Sequence, residues 1–232
     1  MRGKFLQLLP AVLALCQAQA PKPTFYTMVR EDTFAGYMGG DMERFERGVK
    51  YAEQVLAGNP RNADALVWKG GGQVFLATRL YAQDLNAKAD ILYEGGLALM
   101  EQALANEPGS AGVRASYGGV LAFLAPRIPE GRRKAALEKA RSMYEWLYKV
   151  QEPVLDRLPV HLRGETLAGL AETNQKLGNL EQARVYLKRI SASLPDTPYA
   201  ETAERWLAHP ESVGADQQIV CGTCHDAGRL RR

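Results

Sequence analysis

The chain has 232 residues, 46% of them hydrophobic and 24% charged, with a formal net charge of +3. That length and composition can bury a core and do not describe a disordered chain. Arg2 and Lys4 fall in a stretch expected to be removed, which takes Lys+Arg from 29 to 27 against 26 Asp+Glu. So close a balance gives no case for a nucleic-acid or anionic-membrane surface.

Residues 1–20 read as an export signal. Arg2 and Lys4 make the positive start and Phe5 to Leu15 the apolar run. Cys16-Gln17-Ala18 or Ala18-Gln19-Ala20 supplies the small-residue cleavage pattern, and Pro21 disfavours the second site. The run is too short for a permanent bilayer span, so the mature chain is expected to have no transmembrane anchor and to be periplasmic or extracellular. Lipidation at Cys16 is the minority alternative, since Leu15 is large for the residue before a lipoprotein cysteine. With Cys16 removed, only Cys221 and Cys224 remain, so packing rather than disulfides must hold the fold.

Residues 21–40 read as an irregular arm, with two early prolines and Phe25, Tyr26, Phe34 and Tyr37 set among glycines. Its aromatics are expected to pack on the first helices, or else to dock on another subunit. From Asp41 the pattern turns helical and repetitive. The apolar periodicity predicts helices over 41–57, 62–80, 87–105, 110–124, 131–150, 160–177, 179–193 and 198–208. Pro60, Pro108, Pro153 and Pro195 punctuate them at intervals of 48, 45 and 42 residues. Twelve residues before three of these prolines stand Gly48, Gly96 and Ala183. Eight before stand Ala52, Met100 and Leu187, and five before stand Val55, Ala103 and Ile190. These offsets fall on one helical stripe, so each unit shows a small residue and then larger apolar ones on one face. Gly70 and Gly118 recur ten residues after the first two prolines, and a helical glycine costs about 1 kcal/mol against alanine, which implies close helix approach there. Gly70-Gly71-Gly72 lacks the context of a phosphate loop and reads as packing.

Leu170-Ala171, Leu177-Gly178-Asn179-Leu180-Glu181-Gln182-Ala183, then Leu187, Ile190 and Pro195, resemble one full tetratricopeptide repeat. The other units share its small residues and prolines but carry insertions at Leu80 to Lys88, Ala125 to Gly131 and Pro153 to Pro159. The resemblance covers 41–208 and implies an all-α fold, a right-handed α-solenoid of paired helices. Glu201, Glu204 and Arg205 make the last helix a polar cap. Residues 209–232 are expected to form a linker and a tail.

That tail holds Cys221-Gly222-Thr223-Cys224-His225, the attachment pattern of c-type haem. Two thiols at this spacing reach the two vinyl groups of one haem edge, and the imidazole that follows binds the iron. A thioredoxin-like pair would need a βαβ context, and zinc would need four ligands, so one covalent haem c on Cys221 and Cys224 with His225 as proximal ligand is the expectation. The resemblance to c-type cytochromes stops at this motif, because no residue after His225 can ligate iron. Candidates for the distal position lie upstream: His209, His161 and Met28, Met38, Met42, Met100 and Met143. The bland readings are a polar residue at a helix C-terminus for His209, a helix-start surface residue for His161, and core for Met100 and Met143. Arg229, Arg231 and Arg232 are candidates for the haem propionates, or a solvated basic tail.

These features point to an exported monohaem cytochrome on a repeat scaffold, an electron carrier rather than an enzyme, whose partner is a redox protein or a neighbouring subunit. The alternatives are a protein-interaction scaffold with structural haem, a homopolymer or filament joined through the tail, and a haem enzyme or gas sensor with an open sixth site.

Overall fold

A computed structural model describes residues 25–214 and 217–220. Among them are nine α-helices and no strand. They are α1 (Phe25–Gly39), α2 (Met42–Gly58), α3 (Ala63–Tyr81), α4 (Asn86–Asn106), α5 (Ala111–Leu124), α6 (Glu130–Gln151), α7 (Val160–Lys176), α8 (Leu180–Ser193) and α9 (Pro198–Ala208). Short 3-10 turns follow α5, α6 and α9. The eight helices expected from periodicity stand within one residue of their predicted bounds.

The boundaries follow local chemistry. Asp41, Asn62, Ser110 and Thr197 each accept a hydrogen bond from the backbone N–H three residues on, satisfying one of the orphan donors of α2, α3, α5 and α9. At the end of α7, Gly178 takes a positive φ of 81°. Its N–H reaches the Gln175 carbonyl at 3.1 Å and that of Asn179 reaches Asn174 at 2.9 Å, a Schellman closure that sends the chain straight into α8.

The irregular arm expected over 21–40 is instead helical from Phe25. Val29, Thr33 and Tyr37 lie four residues apart on one buried stripe of α1, and Phe34 packs edge-on against Trp68 at 5.6 Å between ring centroids. Gly36 is small because α2 presses on it: a Cβ there would stand 2.5 Å from that of Phe45.

Each helix packs on the next, α1 with α2, α3 with α4, α5 with α6 and α7 with α8. In addition α1 touches α3, α3 touches α5, and α5 touches α7, so these four helices form an inner series. These are accordingly the most deeply buried: α5 hides the whole run from Ser116 to Leu124, and α7 all of Thr166 to Asn174. The expected close approach is real. A Cβ on Gly70 of α3 would lie 2.6 Å from the carbonyl oxygen of Gly96 on α4, and the reverse addition meets the Gly70 carbonyl at the same distance. Glu201, Glu204 and Arg205 are exposed on α9, while Tyr199 and Trp206 on its other face are 2% exposed.

Candidate functional site

The inner series carries a feature that periodicity does not announce. Buried polar groups cluster on α7, where Glu172 is 1% exposed and Thr173 and Asn174 are buried beside it. Thr173 and Asn174 spend their donors on α7's own carbonyls, at Gly169 and Leu170. Glu172 has three donors, one on its own helix and two on the chain after α9. One carboxylate oxygen, Oε1, receives Lys176 Nζ at 2.8 Å, and both side chains are shut off from water at 1% and 6% exposure. The other, Oε2, accepts the backbone N–H groups of Ile219 at 2.9 Å and Val220 at 3.1 Å.

The segment after α9 therefore lies along the inner helices. Gln175 donates to the Pro210 carbonyl at 3.3 Å, and Val213 and Gly214 border a 230 Å³ cleft with Pro126, Arg133 and Lys176. Gln218 then donates to the Phe123 carbonyl, the unsatisfied C-terminal end of α5, at 2.8 Å. Ile219 and Val220 are 0% and 6% exposed. From Lys176 and Phe123 the chain runs back toward the start of α7, and Val220 shares a cavity of about 30 Å³ with Phe34, Trp68, Val120, Arg30, His161 and Glu165. A buried carboxylate is costly unless it is paired and hydrogen-bonded, and here one ion pair and two consecutive amides meet that demand.

Cys221, Cys224, His225, Arg229, Arg231 and Arg232 lie outside the described residues. The backbone reaches Val220, one residue short of the first of them, at that cavity. His161 stands in the first turn of α7 on its rim, 50% exposed and 3.8 Å from Glu165, and Val160 and Leu162 beside it in sequence are 46% and 43% exposed. Burial pushes the Glu165 carboxyl above the ordinary range, against the opposing pull of His161 and Arg30. His209 is 66% exposed at the C-terminus of α9, 3.6 Å from Glu211. Both stand where the structural expectation puts them, His209 at a helix C-terminus and His161 exposed in the first turn of a helix, and His161 also lines the cavity reached by Val220. Met100 and Met143 are core at 0% and 6% exposure, Met38 and Met42 are partly buried against it, and Met28 stands in α1.

Sequence reading missed Glu172, Lys176, Arg30 and Gln218. The signal was present in one place: a carboxylate directly after the apolar run Leu167-Ala168-Gly169-Leu170-Ala171.

Among the described residues no group of three or more His, Cys, Asp or Glu side chains converges as a metal would require, and no helix is long and apolar enough to cross a membrane. No family model matches the chain, and neither a curated protein nor a solved structure matches it.

Proposed function

We propose that this chain is an exported c-type cytochrome in which a right-handed, tetratricopeptide-like helical solenoid holds one covalent haem at the mouth of its own inner groove, for electron transfer. The thioether positions are Cys221 and Cys224, the proximal ligand is His225, and His161 is the distal ligand. The observation that supports this reading is the clamp of Glu172 on Ile219 and Val220, which anchors the backbone immediately before Cys221. A cofactor tethered to a loose tail would have no defined position relative to a partner; one tethered a residue beyond a buried clamp does.

The surroundings of that point suit such a group. The walls offer Phe34, Trp68 and Val120 as apolar surface, His161 as an imidazole, and Arg30 as a cation for a carboxylate. At about 30 Å³ the cavity is far too small to take in a macrocycle, so the ring would lie outside it, on the side where Val220 and His161 meet. When bound, the group supplies a one-electron couple. The chain's own residues would set its position: Glu172 and Gln218 fix the backbone before it, and Arg30, which also pairs with Glu31, would balance propionate charge with the tail arginines Arg229 and Arg231.

The scaffold alternative needs the same inner face for a partner, and the chain's own segment lies there, which favours the electron carrier. The test is reversible redox chemistry. The purified protein should show a c-type reduced spectrum and exchange electrons with a small soluble cytochrome, and the Cys221→Ala/Cys224→Ala variant should do neither. An unaltered wild-type spectrum across a full reductive titration would sink the proposal.

A further inference from the structure

The cleft at the other end of the inner helices has a different chemistry. It measures about 840 Å³ and lies where α1 and α3 end and where the 3-10 turn after α5 begins. Arg79, Arg127 and Arg133 line it, together with an apolar floor from Tyr37, Met38, Phe75 and Ile128, and among the described residues no carboxylate lines it. The nearest acids in sequence are Asp41, Asp84 and Glu130, and Asp41 is turned away to cap α2.

Other arginines of this protein face acids: Arg44 and Arg47 face Asp32, Arg132 faces Asp90 and Glu94, and Arg189 faces Asp156. The three in the cleft make no such pair among the described residues. Arg133 is held by the carbonyls of Ala125, Pro126 and Ile128, which orients its guanidinium without neutralising it. Arg127 lies over the Phe123 ring at 5.1 Å and donates to the Tyr37 carbonyl at 3.5 Å, and Arg79 lies near the Phe75 ring at 5.9 Å, contacts that support the cations without neutralising them. Desolvation pushes the Arg127 guanidinium below its ordinary value with nothing to offset it, whereas the hydrogen bonds they donate to Asp32 and Glu94 raise Arg47 and Arg132. The helix C-termini facing the cleft each carry about half a negative charge, which three guanidiniums outweigh.

We propose that this cleft binds a small organic polyanion, a molecule with two or more carboxylate or phosphate groups on a compact apolar body. Planar guanidiniums pair bidentately with both kinds of oxyanion, and the aromatic floor takes the body. The site is independent of the haem, which belongs to the opposite end of the groove.

The experiment is calorimetric titration of the full-length mature chain at low ionic strength with pyrophosphate, with citrate, and with acetate as a single-charge control. Saturable one-to-one binding of pyrophosphate or citrate, at least tenfold tighter than acetate and weakened by added salt, is expected. Pyrophosphate alone assigns a phosphorylated ligand, and citrate alone a polycarboxylate. Arg79→Gln/Arg127→Gln should lose binding at least tenfold while keeping the wild-type circular dichroism and melting temperature, and Arg184→Gln on α8 should change nothing. Absence of saturable binding by both polyanions, binding no tighter than acetate, or equal binding by the folded double variant would overturn the proposal.

Discussion

Glu172 accepts the backbone N–H of Val220 from forty-eight residues away, at 3.1 Å, with the carboxylate oxygen that also takes the N–H of Ile219. This contact fixes the backbone of Ile219 and Val220, whose side chains are part of the core. It also gives Lys176 its counter-charge, so one carboxylate joins helix, ion pair and tail.

Removing that carboxylate separates the three roles. Glu172→Ala leaves the Lys176 ammonium buried and two amides unsatisfied, and should cost about 3–5 kcal/mol in denaturant unfolding. It should also open 209–220 to limited proteolysis at sites protected in the wild type. Glu172→Leu/Lys176→Met should recover most of the stability, because an apolar pair replaces a buried ionic one at little cost, while the segment stays cleavable. If the double variant protects the segment as well as the wild type does, side-chain packing of Ile219 and Val220 holds the tail and the clamp does not.

The two upstream histidines make opposite predictions. With haem attached, His161→Ala should change a low-spin, six-coordinate spectrum to a high-spin one, and His209→Ala should leave it as it was. Addition of imidazole to the His161 variant should restore the low-spin form. The reverse pattern would place the distal ligand at the end of α9.

Close packing of α3 on α4 is tested by a substitution that helix propensity alone would favour. Gly70→Ala gains about 1 kcal/mol of propensity but sets a methyl 2.6 Å from a backbone oxygen that cannot swing away. It should destabilise the protein by about 1–3 kcal/mol. Gly131→Ala, near the start of α6 with nothing within 4 Å of the added carbon, should stabilise it by up to about 1 kcal/mol. Thermal melts of the two variants should move in opposite directions.

Asp32 gives a pH signature. Burial raises its carboxyl, but hydrogen bonds from Arg47 and Arg44 outweigh that and hold it below the ordinary 3.8. A carboxyl depressed in the folded state adds stability above its unfolded pKa and loses it as pH falls through the folded one. Stability measured from about pH 5 to pH 2 should therefore fall less steeply in Asp32→Asn than in the wild type. Equal slopes would show that the pair with Arg44 and Arg47 does not form.

Most helix positions were legible because local chemistry and periodicity agree from α2 onward: Asn62, Ser110 and Thr197 stand where caps are expected, ahead of strong apolar stripes. Helix α1 was not, because Gly36, Gly39 and Gly40 read as loop punctuation. Only the neighbouring Phe45 explains Gly36, and only the φ of +69° at Gly40 explains the stop. The tail clamp was illegible for another reason. Its partners are 47 and 48 residues apart in sequence and two of the three donors are backbone amides, which carry no side-chain signature.

The proposed electron carrier requires a covalent haem one residue beyond that clamp. The direct measurement is the mass of the intact, denatured chain purified from cells able to attach haem, read together with its visible absorbance. One haem per chain should survive denaturation and acid extraction and map to the peptide holding Cys221 and Cys224. A chain of unmodified mass, colourless and with both thiols open to alkylation, would contradict it.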